Sequence, residues 1–218
     1  QALDSVPGLR SILCLHENVA TGAADGYGRM AGKPAMCLLH LGVGLANGLT
    51  NLHNARRAFT PLLNVIGDHA TWHLPADPLL ATDVESLAHT VSDYVKKSLG
   101  ATTVAFDLAD AIEAAMTNGG RVATLIVPHD AQIGEANDGI PVRRVPASKT
   151  FSVRPILEAA KALKSGKSAL LLGGDALLEP GIMLAGRIAA IRGADLLCDT
   201  FFARMERGAG LPSPTKVP

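Results

Sequence analysis

The sequence has no surplus of either charge: 20 Lys and Arg balance 20 Asp and Glu. A neutral chain has no long-range attraction for nucleic acid or for an anionic membrane surface. Its one basic doublet, Arg143 and Arg144, is too short to supply such an attraction. No apolar run approaches the roughly 18 residues that cross a bilayer, and the first ten residues lack the basic stretch and apolar core of a secretory leader. Cysteine is scarce. Cys14, Cys37 and Cys198 each lie in or at the end of an apolar run, which reads as buried thiols in a reducing compartment and excludes a disulfide framework. Internal repeats and low-complexity segments are absent. What remains is the class of soluble, cytoplasmic α/β proteins, with no nucleic-acid or membrane partner.

With 218 residues, 48% of them hydrophobic, the chain can build one large domain or one and a half ordinary ones. It opens on Gln and ends in a proline-rich stretch, residues 211–218, that reads as a connection; the two ends together suggest a fragment. Between them, short apolar runs alternate with helical patterns, the signature of parallel βαβ units. Strands are expected over 11–15, 35–40, 61–66 and 122–127, and helices over 18–31, 44–57, 83–99 and 108–117. Residues 70–81 are loose. Residues 137–148 carry Gly, two prolines and no periodicity, and read as a linker. The pattern then restarts with helix 153–164, strand 168–172, helix 181–192 and strand 195–198, which is too short to close a domain.

Two stretches carry chemistry. In the first, Glu17 stands where a strand runs into a helix. Desolvation there would raise its pKa toward neutrality and suit it to proton exchange; the plainer account is a carboxylate favoured by the helix N-terminus. The second, His40-Leu-Gly-Val-Gly-Leu-Ala-Asn47, also leads from a strand into a helix. Gly42 and Gly44 would let the backbone turn tightly and approach a ligand, and Asn47 could brace that turn or touch the ligand. Asn47 occupies the third-glycine position of a dinucleotide fingerprint, which is therefore missed. His69 and His73 are four apart, but Pro75 and the lack of periodicity argue against a helix that would make them metal ligands; a substrate-facing role for His69 is the alternative. His16 is expected to point away from Glu17.

Glu17, the Gly26-Tyr-Gly-Arg29 end of its helix, Gly32-Lys-Pro34, the Gly42-Val-Gly44-x-x-Asn47 segment and Thr60-Pro-Leu-Leu63 leading to Ile66-Gly-Asp68 occur in this order. Together they resemble the pyrimidine-binding domain of the acetolactate synthase and benzoylformate decarboxylase group of thiamine-diphosphate enzymes, from Ile12 to about Val127. Residues 151–200 look like the start of that group's central domain. The resemblance implies an α/β fold: a parallel sheet flanked by helices over residues 1–136, lacking its first strand and helix, a linker over 137–150, and a truncated Rossmann-like central domain over 151–218.

It further implies that Glu17 hydrogen-bonds the aminopyrimidine ring and favours its imino tautomer, so that the thiazolium ylide forms and attacks a 2-oxo acid. Glu17, Gly42, Gly44 and Asn47 would line the cofactor, with Glu17 and His40 catalytic. The substrate reading is open between an acetolactate synthase-like carboligase and a benzoylformate-type decarboxylase, toward which His40 tilts it. Val43 departs from the group's Gly-Pro-Gly turn. The diphosphate's Mg²⁺ ligands are missing, because Ala176 follows Gly173-Gly174-Asp175 where a glycine is required and no Asn lies downstream. The implied protein is a homo-oligomer with the cofactor between subunits, and this piece alone would be inactive. No residue argues for a flavin. Competing readings are a nucleotide-binding module on Gly42-Val43-Gly44, disfavoured because position 62 is Leu and Asp68 comes late for a ribose contact, and a scaffold relative without catalysis.

Overall fold

The computed structural model describes residues 2–136, 139, 152–208 and 210–217. Its elements are α1 (Ala2–Ser5), α2 (Glu17–Ala31), β1 (Ala35–His40), α3 (Leu41–Arg57), β2 (Leu62–Asp68), α4 (Val84–His89), β3 (Tyr94–Lys97), α5 (Ala101–Ala115), β4 (Val122–Pro128) and α6 (His129–Ile133). Beyond the expected linker, of which only residue 139 is described, come α7 (Val153–Ala162), β5 (Ala169–Leu172), α8 (Glu179–Arg192), β6 (Asp195–Cys198) and β7 (Thr215–Lys216).

Strands β1 to β4 form a parallel sheet in the order β1-β2-β4-β3. The central strand β4, Val-Ala-Thr-Leu-Ile-Val-Pro, is buried along its whole length, as a strand covered on both faces requires. Helices α2 and α3 cover one face, where Leu39, Leu45, Leu52, Leu62 and Ile66 pack together. Helix α5 covers the other, against Leu63, Ala123 and Leu125. The small residues of α2 serve close packing: Thr21 Oγ1 donates to the Gly48 carbonyl at 3.2 Å, and a Cβ on Gly28 would meet the Pro61 carbonyl oxygen at 2.5 Å. The second region has its own parallel sheet, β5-β6-β7. No helix among the described residues is long and apolar enough to cross a membrane.

Several expectations are corrected. Residues 11–15 form no strand. They line a trough of about 970 Å³ together with β1, the edge strand of the sheet, and pair with no strand among the described residues. Leu13 and Leu15 are consequently 91% and 97% exposed. The helix expected over 83–99 ends at His89, and Tyr94–Lys97 becomes a strand. Val91 and Val95 still reach the same core as Val84, so their spacing reported burial while the β4 edge decided the backbone. Residues 211–217 are more than a connection: Leu211 packs on the second core, a Cβ on Gly186 would meet Pro212 at 2.3 Å, and Thr215–Lys216 pairs with β6.

Candidate functional site

The site stands at the C-terminal edge of the first sheet, where open parallel α/β sheets hold ligands. Chain direction sets this up, since β1 delivers His40 there, β2 delivers Asp68, and α2 begins there with Glu17. His16 is the N-cap of α2 in extended conformation, and its Nδ1 accepts from the Asn18 N–H at 3.1 Å. That cap turns the imidazole into the helix end and frees Glu17, one residue on, for other contacts.

Asn47 Nδ2 donates to Glu17 Oε2 at 3.1 Å. The other oxygen, Oε1, lies over Gly44, where a Cβ would sit 3.4 Å away. Asn47 thus orients the carboxylate and does not brace the glycine segment. The Glu17 carboxyl is held below the ordinary glutamate range, chiefly by its own backbone N–H and then by the Asn47 amide; desolvation opposes them, and His16 and His40 each add less than it takes away. The expected upward shift is therefore reversed: the group is half-open to solvent and receives donors that stabilise its ionised form.

Gly42 and Gly44 are in the first turn of α3, not in a loop, and neither has a positive φ. Their value is space. A Cβ on Gly42 would come within 2.5 Å of Thr82 Cβ. The left-handed residue here is Leu41, buried with φ 54°. Such a conformation in a branched residue costs of order 1–3 kcal/mol. It lets the chain pass from β1 into α3 with no intervening loop. His40, exposed at the end of β1, is the register partner of Gly67.

The geometry therefore gathers Glu17, Gly44 and Asn47 directly, with His40 and Gly42 flanking them. It also adds residues that the sequence reading missed. Asp68 is buried; its Oδ1 accepts from the His69 N–H at 2.8 Å and its Oδ2 pairs with Lys97 Nζ at 3.2 Å. The pair lines a cavity of about 200 Å³ with Leu74, Thr82, Asp83 and Glu85. A lysine closing an apolar Tyr-Val run was the available signal for Lys97, hidden by assigning that run to a helix. His69 and His73 meet edge to face at 5.8 Å on a loop, not a helix. Asp175 lies in a short turn after β5, in the second region. Among the described residues no group of three or more His, Cys, Asp or Glu could hold a metal ion.

Residues 1–93 match the family described as thiamine pyrophosphate enzyme, N-terminal TPP binding domain. A Mycobacterium tuberculosis protein described as an acetolactate synthase large subunit, IlvX, is 48% identical over 99% of this chain and 42% of its own. Benzoylformate decarboxylase of Pseudomonas aeruginosa is 28% identical over 76% of this chain and 32% of its own. Among solved structures, a thiamin diphosphate-dependent enzyme from Mycobacterium smegmatis superposes with a TM-score of 0.81 at 25% identity, covering 94% of this chain and 40% of that one. The chain spans less than half the length of these relatives.

Proposed function

The chain is related to the thiamine-diphosphate-dependent enzymes, and from that premise we propose that the full-length protein decarboxylates a 2-oxo acid and joins the product to a second carbonyl compound, as an acetolactate synthase-like carboligase. The observation that carries the reading is the Glu17 carboxylate, fixed by Asn47 and laid over a glycine that leaves room beside it.

These residues fit the aminopyrimidine end of the cofactor. An oriented carboxylate with one oxygen free of side-chain donors can hold a proton at a ring nitrogen, and the absent Cβ at Gly44 allows a flat ring to come close. They do not extend to its diphosphate, and among the described residues no group of three or more His, Cys, Asp or Glu could hold a metal ion for it. Bound thiamine diphosphate supplies the electron sink for breaking the bond beside the substrate carbonyl. Glu17 would hold and return the ring proton, Asn47 keeps Glu17 Oε2 occupied and leaves Oε1 for that role, and Leu41 sets the path of the chain from β1 into α3.

Residues 1–136 act in this reading as a pyrimidine-binding domain, with the trough beside β1 as the seat of one more strand. The exposed Val19, Tyr27 and Met30 on α2 favour a second subunit there, bringing the rest of the cofactor site and leaving this piece inactive alone. A second reading, benzoylformate-type decarboxylation with His40 as the proton-transfer group, is favoured by the exposed imidazole at the end of β1, near enough to influence Glu17.

The test is turnover of pyruvate and benzoylformate by the full-length protein with Mg²⁺ and thiamine diphosphate, beside Glu17→Gln. Loss of a positioned proton-transfer group is expected to lower kcat about 10²- to 10⁴-fold. A wild type that neither turns over a 2-oxo acid nor binds the cofactor sinks the reading.

A further inference from the structure

Helices α2 and α3 meet along a seam of polar side chains and missing Cβ atoms. Glu17 Oε1 lies over Gly44, and Glu17 Oε2 accepts from Asn47. One turn further along α3, on the same face, stands Asn51, which makes no direct bond to the glutamate. Its Nδ2 donates to the Asn18 carbonyl at 2.7 Å and to the Asn18 side-chain oxygen. Both hydrogens of one amide are thus engaged on a single residue, the one next to Glu17.

The facing helix leaves room for this amide. A Cβ on Gly22 would meet Asn51 Nδ2 at 2.9 Å and Cγ at 3.4 Å, so the amide occupies the place where any larger residue at 22 would put its first carbon. Gly22 lies inside α2 without a positive φ. No turn requires a glycine there, and it weakens the helix relative to alanine. The space taken by Asn51 accounts for it. Asn18 is also held from the other side, because its N–H donates to His16 Nδ1 at 3.1 Å. Thr21, donating to the Gly48 carbonyl at 3.2 Å, ties the two helices at another point. One tie leaves α2 free to swing about it, and a second removes that freedom.

We propose that Asn51 is a positioning residue for Glu17: seated in the gap at Gly22, it clamps Asn18 and fixes the rotation of the first turn of α2, so that the Glu17 carboxylate meets Asn47 and Gly44 in one orientation. The inference deepens the cofactor reading above and rests on it for its consequence in turnover. Asn47 and Asn51 divide the work. Asn47 orients the carboxylate at the end of a flexible side chain, but it does not place the backbone that carries that side chain. Asn51 acts on that backbone, one residue away. A proton-transfer group tolerates play on the order of 0.5 Å, so head group and backbone must both be held.

The experiment uses the full-length protein as wild type, Asn51→Ala, Gly22→Ala and the double variant. Asn51→Ala removes the amide, whereas Gly22→Ala pushes it off Asn18 while adding helix propensity. Carboxyl-carbon NMR titration reads Glu17 without cofactor or substrate. Both single variants should loosen the Asn47 contact and raise the Glu17 pKa, since the Asn47 amide, after the backbone N–H of Glu17, holds it down. The charged neighbours His16 and His40 are untouched by either change. With Mg²⁺, thiamine diphosphate and pyruvate or benzoylformate, kcat should fall about 10- to 100-fold with little change in KM. The double variant should be no worse than either single, because all three lose the same contact. Gly22→Ala should melt no lower than wild type while showing both effects, which a merely structural role would not produce. An unchanged Glu17 titration in folded Asn51→Ala and Gly22→Ala overturns the proposal, as does a kcat loss that follows melting temperature alone. A wild type inactive on both acids removes the cofactor reading, and the titration then decides Asn51's hold on Glu17 by itself.

Discussion

Strands β4 and β5 are both short, apolar and paired in parallel, yet they live in different surroundings. Every residue of β4 is buried between helices on two faces. In β5 only Leu172 is buried, and Leu171 is 68% exposed. The helices repeat the contrast: α5 buries Ala111 and Ala115 against the first sheet, whereas α7 has an amphipathic pattern and no buried residue. Alternation and helical spacing declare which side a residue offers for burial. They do not say whether anything arrives to cover it. The first region converts its pattern into a two-faced core, while the second stops at one layer around Leu177, Ile182 and Cys198.

Breaking the better-packed side should give the largest effect. Ile66→Ala, in the middle of β2 with no solvent exposure, is expected to cost about 2–5 kcal/mol through lost transfer energy and an unfilled cavity. Leu171→Ser should stay within about 0.5 kcal/mol in the same chain, because its side chain is already in water. Chemical denaturation of both variants tests the contrast. A comparable loss at position 171 would show that the outer face of β5 is covered.

Arg29 makes a well-defined contact between the two regions. Arg29, near the end of α2, donates Nη1 to the carbonyls of Phe202 and Ala203 at 2.8 and 3.3 Å, while Nε pairs with Asp25 at 3.0 Å. Arg29→Ala should cost roughly 1 kcal/mol, a charge-assisted hydrogen bond discounted for partial exposure. Its sharper signature is faster cleavage in limited proteolysis around Phe202, with the β1–β4 core still protected. Unchanged cleavage would mean that the second region holds its place without this contact.

How much of this was legible beforehand differs residue by residue. The β1 and β6 boundaries were read correctly, because a bounded apolar run leaves few alternatives. The strand over 11–15 failed because a strand is a relation between two segments, and composition cannot show whether a partner pairs with it; among the described residues none does. The β3 strand was hidden inside a helical spacing that tertiary pairing overrode. In the site, Glu17 and Asn47 were both named, but not their contact with each other, since 30 residues separate them and only the packing of α2 on α3 brings them together. Asp68 and Lys97 were missed as a pair for the same reason. The glycine segment was half read: the tight turn belongs to Leu41, whereas Gly42 and Gly44 provide room.

The smallest effect worth measuring concerns the direction of the Glu17 pKa, where the sequence argument and the structure disagree. Burial alone would raise it, yet donors to the ionised form hold it down. Asn47→Leu removes the amide donor to Oε2 while keeping bulk, so the Glu17 pKa should rise, and the carboxyl should begin to protonate at a higher pH than in wild type. The contribution of the backbone N–H of Glu17, the largest of the causes, remains in the variant and keeps the change modest. Carboxyl-carbon NMR titration of the two proteins reads it directly. A rise establishes that Asn47 tunes and orients the carboxylate through the observed 3.1 Å contact. No change would mean that the backbone alone sets the charge at Glu17, leaving Asn47 to act on orientation or on a ligand.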